Sequence, residues 1–412
     1  MNYEKLANEL FFAKEAADYL GISTQRLNQL VHDGKIVPVK KTNSGTIFHI
    51  EELRKRKEEL NIFSEQMEGG TSGMFLIDNK VKQEALNFAT LMNLLNRTES
   101  SLEPEFNKFE EKYDVGIPMI EDCMIKNYAV YFGVGEGVLK QAYRTAEKAF
   151  SKLRSEDEIV KRGNSDYPPL LLKTEQAPRF LYLRGNKALL FEKRTVALVG
   201  SRNASEEAKL NTKRVAISLG KNGITVISGL AKGIDVTAHK AALEYGYNTI
   251  AVIGTNLNQY YPAENRKVQE EIEKKGLVVS QFSPATKTER WFFPLRNGVM
   301  SGLSLATVIM EAGETSGALK QADFAMKQGR QILIPQKALE IESITWPRKY
   351  RDKGAKIVSS PKDILIKLSE NEIFNPQINV QTDMNEYLDL NMKPQTQPNR
   401  RSELFEMENE HV

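Results

Sequence analysis

From residue 195 onward the chain alternates short apolar, β-branched runs with stretches of helical pattern, and this alternation restricts the fold more than any other feature. The runs fall at 195–199, 224–227, 248–253, 277–280, 305–310 and 330–334, and helices are predicted between them, for example over 206–219, 232–245 and 318–327. Strands that are apolar nearly throughout must be covered on both faces, so the pattern predicts a parallel sheet with helices on each side. Ligands of such sheets bind outside the carboxyl ends of the strands.

Two of those ends run into glycine turns. Gly200-Ser201-Arg202 follows the first strand, and Ser228-Gly229-Leu230-Ala231-Lys232-Gly233-Ile234-Asp235 follows the second. Glycine lets backbone N–H groups approach a ligand, and helix N-termini favour anions, so the pair predicts a phosphate-binding edge. Asn265, Arg266 and Lys267 (after Tyr261-Pro262), Arg296 and Asn297 (after Phe293-Pro294), and Ser316 and Gly317 (after Glu311-Ala312-Gly313) fall near later strand ends. Hydroxyls, amides and guanidinium groups suit phosphate oxygens. Rings such as Tyr260, Tyr261, Trp291 and Phe292 could stack bases, although core packing is the expectation for most of them. Asp235 is expected to cap a helix and Glu311 to orient a loop or a cation. His239, within a helical run, is expected to be structural.

Composition narrows the chemistry. The chain has 412 residues, enough for two or three domains, and a net charge of +3, so any basic surface must be local. A single cysteine, Cys123, excludes an internal disulfide and a thiolate zinc site, and the four histidines are scattered without metal-ligand spacing. No metal and no cofactor are therefore expected. A dehydrogenase lacks support because no Gly-x-Gly-x-x-Gly follows the first strand, and no Gly-Lys-Ser/Thr marks a P-loop. No apolar run approaches the ~20 residues that span a bilayer, and residues 1–5 lack a signal-peptide pattern. The expectation is a cytoplasmic protein that is not an enzyme.

Residues 10–60 read as a separate small unit. A helix over 13–20, a turn at Gly21-Ile22-Ser23, a second helix capped by Ser23 and running to His32, and a hairpin of 36–39 with 46–50 around Asn43-Ser44-Gly45 make a helix-turn-helix with a wing. Ala16-Ala17-Asp18-Tyr19-Leu20-Gly21-Ile22-Ser23, Arg26-Leu27 and Gly34-Lys35-Ile36-Val37-Pro38 resemble the excisionase and MerR-type winged helix-turn-helix family. That resemblance implies DNA contacts from Gln25, Arg26, Asn28 and Gln29 on the recognition helix and from Lys40 and Lys41 in the wing; a protein-interaction module is the alternative. The run Arg54-Lys55-Arg56-Lys57 is flanked by glutamates and reads as a solvated helix face. Helices are expected over 80–96 and as a pair over 117–153, joined by Gly133-Val134-Gly135, which reads either as a tight connection or as a phosphate-binding turn.

Residues 160–370 resemble the DNA-processing protein A (DprA/Smf) family. The resemblance is carried by Asp166-Tyr167-Pro168-Pro169-Leu170-Leu171, Ala177 to Gly185, Val196 to Arg202, Ser228 to Asp235 with Ala238-His239, Tyr261-Pro262-Ala263-Glu264-Asn265, Phe293-Pro294-Leu295-Arg296-Asn297, Ser301-Gly302-Leu303-Ser304, and Ser316 to Leu319 with Gly329-Arg330. It implies an extended Rossmann fold, single-stranded DNA binding, protection of that DNA, assistance to loading of the RecA recombinase, and a homodimer. Family phosphate contacts fall on Gly200, Ser201, Arg202, Ser228, Gly229, Ser316, Gly317 and Asn265, with Arg266 or Lys267 beside it; Lys232, Gly233, Arg296 and Asn297 join them at the same edge. Four departures stand out: Gly298 replaces a second arginine, Ser280-Gln281-Phe282-Ser283-Pro284 replaces Ser-Glu-x-Pro, Pro335-Gln336 replaces Pro-Gly, and Ser343 to Lys349 replaces a glycine- and asparagine-rich stretch.

The expected fold class is thus α/β, an extended Rossmann-like parallel sheet with an N-terminal winged helix-turn-helix and a small helical accessory domain. Expected boundaries are 1–62 for the helix-turn-helix, 63–79 for a linker, 80–158 for the helical domain, 159–370 for the sheet domain and 371–412 for a disordered tail. Expected partners are single-stranded DNA, duplex DNA through residues 10–60, a RecA-type recombinase and a second copy of the chain, with no membrane. The alternative is a nucleotide sensor or phosphoribohydrolase tethered to DNA, but Glu311 to Gly317 lacks the Pro-Gly-Gly-x-Gly-Thr-x-x-Glu signature of those enzymes.

Overall fold

The structure, a computed structural model, describes residues 10–55 except 21–23, 33, 35, 43–44 and 54, and residues 80–374 except 372. The chain divides into two compact units, one of residues 1–83 with 108–117 and one of 84–107 with 118 onward. Among the described residues no helix is long and apolar enough to cross a membrane.

In the smaller unit, strand β1 (Leu10–Phe12) leads into the helix Ala13–Leu20, and the helix Thr24–His32 follows. Strands β2 (Lys40–Thr42) and β3 (Gly45–His49) complete an antiparallel sheet of order β1-β3-β2. Ala16, Ala17, Leu27, Leu30, Ile36, Phe48 and Leu53 form its core. Helix positions match the expectation, but β1 was not foreseen, and β2 begins at Lys40 rather than Ile36. Pro38 has no N–H for a ladder, and the pairing starts where Val39 N donates to Ile47 O at 2.9 Å. The expectations for Ser23, for the turn at Asn43-Ser44, for Arg56-Lys57, for the linker 63–79 and for the tail beyond 374 lie outside the described residues.

Four helices follow, Lys80–Leu95, Glu99–Glu110, Asp122–Phe132 and Glu136–Phe150. The second of them was not predicted. Gly133 closes the third helix in a left-handed conformation (φ 65°) and Gly135 caps the fourth, so Gly133-Val134-Gly135 serves as the tight connection.

The larger unit is built on a sheet of nine strands among the described residues, in the order β12-β11-β10-β6-β7-β8-β9-β5-β4. Its strands are β4 (Glu158–Lys161), β5 (Phe180–Gly185), β6 (Thr195–Gly200), β7 (Thr225–Ser228), β8 (Thr249–Val252), β9 (Leu277–Ser280), β10 (Ala306–Glu311), β11 (Gln331–Pro335) and β12 (Lys356–Val358). The six predicted strands are β6 to β11, each placed to within a residue or so of its observed ends. From β9 to β12 in sheet order every neighbour is parallel, and β5 and β4 extend that edge antiparallel.

Alternation along each strand divides the core into two layers. Ala197, Val199, Ile227 and Ile250 pack with Val299, Met300, Ala318 and Ala322 on one face, while Val196, Leu198 and Val226 pack with Val215, Ile234, Ala238 and Ala241 on the other. Helices Phe292–Gly302 and Gly317–Lys327 thus cover one face, and Glu206–Lys221 and Ile234–Glu244 the other. The chain runs outward from β6 to β9 in one direction and from β10 to β12 in the other. The reversal falls between β6 and β10, and such a switch point opens a crevice at the strand ends.

Candidate nucleic-acid interface

At that switch point lies a cleft of about 530 Å³, lined by Gly200 to Asn203 at the end of β6, Ala231 and Asp235 after β7, Phe293, Pro294, Arg296 and Asn297, and Gly313 with Thr315 to Gly317 after β10. The turn after β6 is fixed from two sides. Ser201 N donates to Glu311 O at 2.7 Å, and the Glu311 carboxylate accepts from Ser205 N at 3.0 Å and Ser205 Oγ at 2.6 Å. Glu311 therefore orients the loop, as expected. A Cβ at Gly200 would run into the Ile234 side chain, and one at Gly233 (φ 72°) into the Ser201 carbonyl, so both glycines are required by the close approach of the two turns.

Arg202 projects from this loop exposed, and among the described residues it has no ion pair or hydrogen bond. An uncommitted guanidinium beside two glycine turns is well suited to a phosphate. Across the cleft Ser316 caps the helix Gly317–Lys327, accepting from Ala318 N at 3.3 Å, and Gly317 is exposed with open space where a side chain would stand. The helix N-terminus adds partial positive charge. Glu314 holds this loop from behind, accepting from Thr345 N at 2.8 Å and Thr345 Oγ1 at 2.6 Å, and Trp346 Nε1 donates to Ala312 O at 2.9 Å. The divergent stretch 343–349 thus becomes a brace for the 312–317 loop, a role that its sequence did not announce.

Arg296 differs from Arg202. It is only 6% exposed, and it donates through Nη1 to Gly229 O at 2.6 Å and to Val252 O, and through Nε to Asn297 Oδ1 at 3.1 Å. Burial pulls its pKa down to about 10, the Asp235 carboxylate opposing and the Arg202 cation adding to that pull. Burial raises the pKa of Asp235 in turn, against the Arg296 cation and hydrogen bonds from the turn. Asp235 is not the helix cap, a position that Gly233 takes; its carboxylate accepts from Ala231 N at 3.3 Å and ties the turn to its own helix.

Several expected contacts are spent within the fold. The buried Ser228 hydroxyl donates to Leu198 O at 2.6 Å, and Asn265 Nδ2 donates to Leu230 O at 2.9 Å. A Cβ at Gly229 would strike the Arg296 guanidinium, so this glycine makes room for a side chain rather than for a ligand. Asn297 Nδ2 reaches Gly317 O at 3.3 Å and steadies the cleft's far wall. Lys232 pairs with Glu264 at 2.6 Å and Arg266 with Glu270 at 2.8 Å, whereas Lys267 is exposed and uncommitted among the described residues. In the smaller unit Asn28 and Lys40 are exposed; the side chains of Gln25, Arg26, Gln29 and Lys41 lie outside the described residues. His239 is fully buried with Nδ1 at 2.8 Å from Thr249 Oγ1, the structural role that its helix suggested.

Of the aromatic side chains, Phe292 belongs to the core as expected, but Tyr261 and Trp291 are 53% and 50% exposed. The Tyr261 ring lies 5.0 Å from that of Phe293, which lines the cleft. Gly298 faces away from phosphate chemistry: a Cβ there would stand 2.7 Å from Gln176 Cγ and 3.4 Å from the Phe324 ring, under a hydrogen bond from Gln328 Nε2 to Gly298 O at 3.0 Å. Gly298→Arg is therefore expected to cost about 1–3 kcal/mol by overpacking. Urea titration checks it, and an unchanged midpoint would mean that Gln176 swings aside freely.

The family profile for DNA recombination-mediator protein A matches residues 158–369, more than half of the chain. The chain belongs to that family. DNA processing protein DprA of Streptococcus pneumoniae is 39% identical over 201 residues, which are 48% of this chain and 70% of that protein. DNA processing protein DprA of Bacillus subtilis is 31% identical over 211 residues, 51% of this chain and 71% of that protein. The X-ray structure of the Streptococcus pneumoniae protein superposes with a TM-score of 0.54 at 30% identity, covering 70% of this chain and 95% of that one. The family read from residues 160–370, its DNA-processing role and its Rossmann-like sheet are thus borne out.

Proposed function

We propose that this DprA-family chain holds single-stranded DNA by its phosphates in the cleft between β6 and β10, and that it acts by binding, without catalysis. The observation that carries the reading is Arg202: an exposed, uncommitted guanidinium on a loop fixed by Glu311, facing the capped N-terminus at Ser316 and Gly317. Exposed rings at Tyr261 and Trp291 favour a strand whose bases are unpaired, because a duplex hides base faces from stacking. Protection of the strand and loading of a RecA-type recombinase by a homodimer follow as the working role. Residues 10–53 are proposed to add duplex DNA contacts as a winged helix-turn-helix, supported by their two short helices and three-stranded sheet.

Arg202→Ala tests the site. Affinity for a single-stranded oligonucleotide is expected to fall at least about tenfold, because hydrogen bonds to charged groups are worth roughly 1.5–3 kcal/mol. The slope of log K against log salt should lose about 0.7, the share of one phosphate on a single strand. Thermal stability should change little, since the Arg202 side chain makes no hydrogen bond or ion pair among the described residues and only repels the Arg296 cation. Wild-type affinity in the variant would move the strand to another surface.

A further inference from the structure

The helix Phe292–Gly302 lends Phe293, Pro294, Arg296 and Asn297 to the cleft, but its first turn also carries an aromatic group that the phosphate site does not use. Trp291 stands at the start of this helix, half exposed. Its ring meets that of Phe292 edge to face, with centroids 4.5 Å apart, and Phe292 lies stacked on Phe282 at 4.1 Å and 3°. The indole is thus held in one orientation by a buried aromatic pair while its outer surface meets water. Leu295, one helical turn on and 38% exposed, extends the same apolar strip.

The loop that delivers Trp291 is also fixed. Asn256 Nδ2 donates to Thr286 O at 3.1 Å, and Thr288 Oγ1 to Gln259 Oε1 at 2.5 Å. Between and beyond these ties, Lys287 and Arg290 are exposed, and among the described residues neither has an ion pair or a hydrogen bond. A solvent-facing indole supported by a buried aromatic pair, preceded in the chain by two exposed cations with Glu289 between them, and standing at the start of the helix that also lines the phosphate cleft, suits stacking on unpaired bases.

We infer that the strand leaving the cleft continues over this surface, with a nucleobase stacked on Trp291 and a backbone phosphate beside Lys287 and Arg290. The inference rests on the proposed single-stranded DNA reading and extends it from a phosphate site to a base-contacting track. An ordered ring costs little entropy on binding, so the bound base needs no rearrangement of the protein. Stacking tolerates any base, so the track would add affinity without sequence preference.

The chain has two tryptophans, and the other, Trp346, is 2% exposed and out of reach of a stacked base, so the difference in emission between the wild type and Trp291→Phe reports on Trp291. The full chain is titrated with an oligothymidylate and with an abasic oligomer of equal length. Expected results are quenching by the first and none by the second, no quenching in Trp291→Phe, and about tenfold weaker oligothymidylate binding by Trp291→Ala with abasic binding unchanged. Emission unmoved at saturating oligothymidylate, or equal losses for both oligomers in Trp291→Ala, would overturn the inference. So would a changed oligomeric state in that variant with DNA affinity intact, which would make the strip a protein contact. Arg202→Ala separates the two ideas: if its affinity is unchanged while Trp291 emission is still quenched, the cleft reading fails and the Trp291 surface stands. A wild-type protein that binds neither oligomer ends both.

Discussion

Replacing Arg296 with leucine should destabilise the protein by about 3–5 kcal/mol, the size of effect expected when a buried, hydrogen-bonded cation is removed and a nearby buried carboxylate loses its compensating charge. The guanidinium is buried, and it is the shared donor to Gly229 O, Val252 O and Asn297 Oδ1, joining the turn after β7, the end of β8 and its own helix. Leucine leaves three buried acceptors without that donor. It also removes the cation that holds down the pKa of Asp235, whose carboxyl is already raised by burial. Asp235 would then take up a proton or stay charged at high cost. The compensating change is Asp235→Asn, which keeps an acceptor for Ala231 N and removes the charge. In the Arg296→Leu background it should recover roughly 0.5–3 kcal/mol, the size of coupling seen between residues of one charge network. Urea midpoints of the wild type, the two single variants and the double variant check this. Arg296→Leu losing under 1 kcal/mol would show that Asp235 and the carbonyls find water instead. Arg202→Ala, by contrast, should weaken DNA binding and leave the midpoint in place, which separates the arginine that builds the cleft from the one proposed to meet the ligand.

That separation could not be made from the sequence. Gly200-Ser201-Arg202 and Arg296-Asn297 look alike on paper, a cation beside a small or amide residue near a strand end. Which of them reaches solvent depends on whether a neighbouring glycine has left space, and Gly229 leaves it for Arg296. That the Ser228 hydroxyl and the Asn265 amide are engaged inside the fold was hidden for the same reason: the carbonyls of Leu198 and Leu230 accept from them, and both lie about 30 residues or more away in sequence. Gly233 was legible because φ > 0 at a strand-to-helix turn is a local requirement. The strands β6 to β11 were legible because burial on both faces makes each a continuous apolar run. β4 and β5 were not, since Glu158, Lys161 and Arg184 interrupt them. Arg184 is tolerated only because Asp157 meets it at 2.6 Å and Leu257 O at 2.9 Å, partners that are distant from it in sequence. The exposure of Tyr261 and Trp291 was hidden too, because an aromatic residue reads the same whether its ring enters the core or faces water.

His239 carries the second large effect, and its sign follows from burial. The ring is fully buried beside Thr249, and burial pushes its pKa down to about 3, with the Ser228 backbone opposing and the Arg296 cation adding to the shift. In the unfolded chain the same imidazole titrates near its ordinary value of about 6.5. Between these values the unfolded state binds more protons than the folded one, so stability rises with pH across the window. The contribution is fully present above about pH 6.5 and is lost as pH falls toward 3, to a total of roughly 3–5 kcal/mol. Glu99 pulls the other way: burial raises its pKa to about 7, so its contribution is present at low pH and is lost as pH rises toward 7. Comparing His239→Leu with the wild type at each pH cancels Glu99 and isolates the histidine. At pH 7.5 the variant should lose about 1 kcal/mol with the Thr249 hydrogen bond. Toward pH 4 the order should reverse, the wild type falling steeply while the leucine variant does not. Urea midpoints over that range decide it; parallel curves for the two proteins would mean that the cavity around His239 admits water and lets the imidazolium stay folded. A histidine tuned this far from neutrality is also a poor general base at physiological pH.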